Sequence, residues 1–203
     1  MITLFLARHA HAVSNTEDVV NGIPPGEGLS EEGVEEALAL GRRLAAEPIE
    51  LGVSSRLRRA SETLALALAG RDVPAVVEPL LDEIGFGSFE GGPLAAYRAW
   101  AWEHPPEASC PGGGETRVGA ALRLADGLAA LLRRPEQVIL AVSHGLPLRY
   151  VLDAAAGGFP GQRLAAVPHA LPYRLDRTAV ERAATTLGEW AAAPRFADTP
   201  FGG

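Results

Sequence analysis

Two short apolar runs in this chain each end at a histidine, and that coincidence restricts the possible folds more than any other feature. Residues 2–7, ITLFLA, meet Arg8 and His9; residues 138–143, VILAVS, meet His144 and Gly145. Both runs are short and are followed at once by polar residues, so both read as strands covered on two faces. Helical patterns lie between them. Ser30 before Glu31 and Glu32 marks a helix start, because serine satisfies free amides and acids suit the positive end of the helix dipole. Val34, Ala37, Leu38, Leu44 and Ala45 then recur at helical spacing until Pro48. Further strands are expected at 49–55, 73–79 and 169–175, with a faint one at 179–187, and further helices at 56–69, 93–102, 116–134 and 146–156. Residues 80–92 read as a glycine-rich structured loop. Strands alternating with helices predict an α/β domain, a three-layer sandwich with a mostly parallel central sheet flanked by helices.

A length of 203 residues suits one domain over 1–203, with about the last ten residues a loosely held tail. Cys110 is the only cysteine, which leaves no internal disulfide or CxxC metal site and fits a reducing, cytoplasmic setting. The N-terminus lacks a basic leader and cleavage site, and no apolar run is long enough to span a membrane. The net charge of −7 argues against nucleic-acid or anionic-membrane partners, while leaving room for a small anionic substrate in a locally basic pocket. Every base other than histidine is arginine. The absence of lysine excludes Schiff-base chemistry and a Walker A loop.

In open parallel sheets, ligands bind beyond the carboxyl ends of the strands. If the two histidine-ended strands are parallel neighbours, His9 and His144 face each other there. Two histidines alone would suggest a metal. The recurring partners here are arginines, which do not ligate metals and which grip phosphate with a planar fork of donors. Arg8 is one; the third strand end adds Arg56, Arg58 and Arg59 after Ser54 and Ser55. Arg56 and Arg59 share a helical face. Helix N-termini at this point and after His144 would offer further amides to an anion.

These motifs resemble those of the histidine phosphatases, the phosphoglycerate mutase-like superfamily. Arg8-His9-Ala10 stands where the family has Arg-His-Gly. Residues 55–63, SRLRRASET, resemble Ser-Pro-Leu-x-Arg-Ala-x-x-Thr, and residues 83–91, EIGFGSFEG, resemble Glu-x-x-Phe-Gly-x-Trp-Glu-Gly. Gly113-Gly114-Glu115-Thr116 and Ser143-His144-Gly145 complete an ordered series. Beside the nucleophile, Ala10 replaces glycine, and His11 and Ala12 replace an acid and a hydroxyl residue.

The resemblance implies a phosphatase acting on a small phosphomonoester without metal or cofactor. It assigns His9 as the phosphorylated nucleophile. Arg8, Arg59, His144, Asn15 and the Gly145 amide would bind the phosphoryl oxygens, and Glu83 would be the proton donor. Glu115 would orient other groups, while His11, Asn21 and Gly22 would form the substrate rim. His169 either contacts phosphate or orients a catalytic group. Arg56, Arg58 and His104 read as solvated or paired surface residues, and Trp100 and Trp102 as packing. Two alternatives remain at this stage: a cofactor-dependent phosphoglycerate mutase and a non-catalytic phosphate-binding module. A homodimer would be unsurprising.

Overall fold

The computed structural model describes residues 2–197. Its centre is a five-stranded sheet built from β1 (Thr3–Arg8), β2 (Leu51–Ser54), β3 (Ala75–Val77), β4 (Val138–Ser143) and β5 (Pro172–Asp176), in the order β3-β2-β4-β1-β5. The first four strands run parallel, and β5 joins β1 antiparallel at one edge. The helices are α1 (Val13–Thr16), α2 (Glu31–Arg43), α3 (Arg58–Ala67), α4 (Leu94–Glu103), α5 (Arg117–Leu132), α6 (Gly145–Ala155) and α7 (Arg177–Ala192). None is long and apolar enough to cross a membrane.

The unbroken apolar runs follow from this layering. Successive strand residues point to opposite faces. Leu4 and Leu6 of β1 join Ile139 and Ala141 of β4 in the core under α5, α6 and α7. Phe5 and Ala7 join Leu140 and Val142 in the core under α2 and α3. Polar residues on either face would have to be buried without water, so alternation is absent.

Ser30 caps α2 as expected, its hydroxyl accepting from the Gly33 amide at 3.1 Å. Gly33 also lets this helix start close over the site, because a Cβ there would collide with the His11 carbonyl. The faint strand expected at 179–187 is instead part of α7. Asp176 caps that helix through the Ala179 amide, and Val180, Ala183, Leu187 and Trp190 are buried at helical spacing. Strand β5 starts later than expected, at Pro172, since Ala170 has a left-handed backbone with φ of 46°. Of the expected tail, the Arg195 carbonyl accepts from the Trp190 indole and Phe196 packs beside it. Residues 198–203 lie outside the described residues.

Candidate active site

Parallel pairing of β1 and β4 sets Arg8 opposite Ser143, so the residues that follow, His9 and His144, emerge together at the carboxyl edge. The His9 amide donates to the Ser143 carbonyl at 2.9 Å, which makes the nucleophile candidate the last rung of the ladder. The imidazole centroids are 5.1 Å apart. Strand β2 ends on the other side of β4, and α3 begins there, carrying Arg59.

Arg59 ties the group together. Its Nε donates to Nε2 of His9 at 3.1 Å, one terminal nitrogen donates to Nδ1 of His144 at 3.2 Å, and the other donates to Oδ1 of Asn21 at 2.9 Å. A guanidinium cannot accept, so both imidazole nitrogens facing it present lone pairs. The other nitrogen of His9, Nδ1, donates to the Ala10 carbonyl at 2.7 Å. This fixes the His9 tautomer with an unprotonated Nε2 directed into the arginine cluster. Nε2 of His144 is 2.7 Å from the Ser55 hydroxyl, which fixes the second ring in the same manner.

Charge reinforces the tautomer. Burial, then the Arg59 guanidinium, holds both His9 and His144 well below the ordinary imidazole range. His9 therefore stays neutral and nucleophilic on the acid side of neutrality. Burial also lowers Arg8, and it lowers Arg59 to about 10. The buried carboxyl of Glu83 moves upward, chiefly through burial, against the pull of the Ile84 amide and of Arg59, Arg8 and Arg123. A buried guanidinium, a half-buried one and a carboxyl whose pKa is shifted upward make a site suited to an anion.

Arg8 donates through one terminal nitrogen to the Val167 carbonyl at 2.9 Å, while its buried Nε lacks a partner among the described residues. Gly145 is the first residue of α6, directly after the capping position of His144, so its amide belongs to the free N-terminal set. Glu83 and Gly145 line one pocket together with Arg8.

Asn15 accepts from the Ala12 amide through Oδ1 at 2.9 Å and closes the turn before α1, which leaves its NH2 group as the donor that an anion could use. Asn21, expected on the rim, instead anchors Arg59. Gly22 holds the same loop, its amide donating to the Glu90 carboxylate at 2.6 Å. His11 keeps an outer position, with its amide on Glu36 and its ring against Ser30 and edge-on to His169. His169 buttresses His9 through its Nδ1, 2.9 Å from the His9 carbonyl. Glu115 pairs with Arg123, which also donates to the carbonyls of Leu80, Asp82 and Glu83 and so shapes the acid's segment. Arg56 and Arg58 are engaged by Asp82 and Glu62, as paired surface residues. His104 stacks on Trp100, away from the cluster.

Sequence reasoning missed three supports. Thr63 accepts from the Ala10 amide at 2.9 Å and donates to the Arg59 carbonyl, coupling the segment of His9 to α3. Ser55 was visible only as part of a strand-end motif, with no sign of its bond to His144. Arg123 gave no signal beyond its position on an amphipathic helix. Among the described residues, no group of three or more His, Cys, Asp or Glu is placed to hold a metal ion.

Comparison with known proteins agrees with this geometry. An adenosylcobalamin/alpha-ribazole phosphatase of Salmonella typhimurium is 37% identical over 87 residues, a match spanning 43% of each chain. A 2,3-bisphosphoglycerate-dependent phosphoglycerate mutase of Methylobacterium sp. is 32% identical over 192 residues, covering 85% of this chain and 90% of the other. The crystal structure of the alpha-ribazole phosphatase from Shigella flexneri superposes with a TM-score of 0.74 at 26% identity, covering 86% of this chain and 90% of that one. The family model for the histidine phosphatase superfamily, branch 1, matches residues 4–192. The chain belongs to the histidine phosphatase superfamily.

Proposed function

We propose that the protein hydrolyses small phosphomonoesters through a phosphohistidine on His9. The observation that carries this reading is the lone pair of Nε2 of His9, fixed by the Nδ1 bond to Ala10 and pointed at the Arg59 guanidinium. Phosphate oxygens gripped by Arg59 would bring phosphorus up against that nitrogen.

In the first step the Nε2 lone pair forms an N–P bond as the P–O bond to the alcohol breaks. Glu83 gives its proton to the departing oxygen. In the second step water attacks phosphorus, the N–P bond breaks, and Glu83 takes the proton that water releases. The sum is ester plus water to alcohol plus phosphate, with His9 and Glu83 regenerated. Arg8, Arg59 and the Gly145 amide offset the charge on the equatorial oxygens, which is the positioning and electrostatic work that phosphoryl transfer requires. A bound dianion would also offset the positive field that, after burial, helps to keep His144 neutral, which favours a proton on this ring once substrate arrives. The arginines supply the positive charge, and no metal enters the scheme.

The test is His9→Ala with phosphoenzyme trapping. The wild type should yield an acid-labile phosphoprotein and release phosphate; the variant should do neither. Substantial turnover by the variant overturns the reading. The mutase among the relatives favours a second reading, isomerisation of 3-phosphoglycerate. Release of free phosphate, measured against formation of 2-phosphoglycerate in the presence of a bisphosphate primer, separates the two.

A further inference from the structure

Next to the phosphate-facing groups lies a pocket of about 160 Å³ between α4, the start of α6 and residues 162–167. Arg8 and Glu83 line it, and Phe86, Leu94, Tyr97, Trp102, Leu146 and Leu164 supply most of its wall. An apolar cavity of about 150 Å³ is large enough for one benzene ring. The pocket therefore suits a ring-sized apolar group joined to the oxygen that Glu83 would protonate.

The pocket also has a polar side that the phosphoryl chemistry does not use. Arg117 and Tyr97 line it, and only 7% and 5% of their surfaces are exposed. One terminal nitrogen of Arg117 donates to the Gln162 carbonyl at 3.0 Å, and its guanidinium lies over the Phe196 ring and beside Tyr97; the buried Arg117 Nε and Tyr97 hydroxyl make no well-formed hydrogen bond among the described residues. The same holds for the hydroxyl of Tyr150, which lies in the field of Arg117 and Tyr97. Unpartnered buried donors are costly and so point to a ligand group that completes them. Burial pushes Tyr97 up to about 12 and Tyr150 upward as well, so both remain O–H donors. Arg98 is exposed at the mouth and also lines the pocket. Three arginines, Arg8, Arg98 and Arg117, thus face this space against the one carboxyl of Glu83.

We propose that this pocket selects a phosphomonoester whose alcohol is a single aromatic or similarly flat ring bearing a carboxylate, with the ring between Phe86, Tyr97 and Leu146 and the carboxylate completed by Arg117 and Tyr97. The inference rests on the phosphatase reading and adds a recognition subsite to it. The arginine supplies a charge-assisted donor and the phenol a second one, a pairing that a neutral ring cannot use. Discrimination should be sharp in one direction, since a substrate lacking the acceptor leaves the buried donors unpaired.

The experiment compares kcat/KM for 4-carboxyphenyl phosphate, 3-carboxyphenyl phosphate, phenyl phosphate and glycerol 2-phosphate. The phenols are close in acidity, so leaving-group chemistry contributes little to the ratio among the aryl esters. At least one carboxyphenyl ester should exceed phenyl phosphate by about tenfold or more, and phenyl phosphate should exceed glycerol 2-phosphate. Tyr97→Phe keeps the ring packing and should reduce the carboxyphenyl-to-phenyl ratio severalfold; Arg117→Gln should bring it close to one. If Arg117→Gln fails to fold, Tyr97→Phe and Arg98→Gln carry the test. A wild-type ratio of one or less overturns the subsite, as does a ratio that none of the variants changes. If no ester is hydrolysed and no phosphoprotein forms, the phosphatase reading falls and takes the subsite with it; hydrolysis without discrimination removes the subsite alone.

Discussion

Arg59→Met keeps much of the side chain's apolar length and removes the guanidinium from the centre of the site. Burial lowers Arg59 from 12.5 to about 10, which corresponds to roughly 3 kcal/mol of unfavourable charge burial. Opposing this are its donations to His9, Asn21 and His144, each worth about 1 kcal/mol once water can enter the vacated space. The two effects nearly cancel. The variant should therefore unfold within about 1 kcal/mol of the wild type, a shift in Tm of about 2–4 °C or less for a chain of this size. An arginine kept for structure behaves differently, because breaking a buried pair costs about 3–5 kcal/mol. Urea unfolding can be followed through Trp190, which is fully buried. Orthophosphate at a hundred times its Kd should stabilise the wild type by about 2.7 kcal/mol, and that gain should vanish in the variant along with turnover. A destabilisation beyond about 3 kcal/mol, or a phosphate-induced shift that survives, refutes the argument that this charge is held for a ligand.

Glu83→Gln should slow alkyl phosphates by about 10²–10⁴-fold while sparing nitrophenyl phosphate, whose leaving group needs little protonation; equal losses on both remove Glu83 as the acid. The depressed imidazoles make stability pH-dependent. Unfolded histidine binds a proton below about 6.5, whereas buried His9 and His144 do not until well below that, so stability falls as pH drops through this window by about 1.4 kcal/mol per pH unit per histidine. Glu83, raised in the native state, works in the opposite sense and offsets up to one proton of this slope. His144→Gln should flatten the loss between pH 6.5 and 5 by about one proton's slope, and unchanged unfolding curves would contradict the assignment. Glu90→Ala frees the amides of Gly22 and Ile23; their hydrogen exchange should speed by about tenfold or more, with KM rising more than kcat falls.

Much of this arrangement was legible because it depends on strand ends. A buried strand must be apolar and must stop where polar residues begin, so ITLFLA and VILAVS locate both histidines to the residue. The start of α2 was equally plain, since Ser30 with two following acids has one favourable reading. Residues 177–192 were harder. Thr and Ala dominate that stretch and blur the helical period, which Val180, Ala183, Leu187 and Trp190 make clear only when taken together with the capping Asp176. Side-chain partnerships were the least accessible. That Asn21 meets Arg59 depends on the path of the loop over residues 17–29, and that path is set by distant groups, Glu90 and Glu62, which accept from its amides. No local pattern encodes such a choice.

The hydrogen bond between the His9 amide and the Ser143 carbonyl joins segments more than a hundred residues apart in the middle of the sheet. The nitrogen proposed to attack phosphorus thus hangs from a seam covered on both faces by helices instead of from a surface loop. Heating would leave such a catalyst intact until the layers themselves come apart, so loss of turnover and loss of the buried tryptophan signal should coincide on one melting curve. Variation in α4 can then reshape what enters the pocket without disturbing the position of His9.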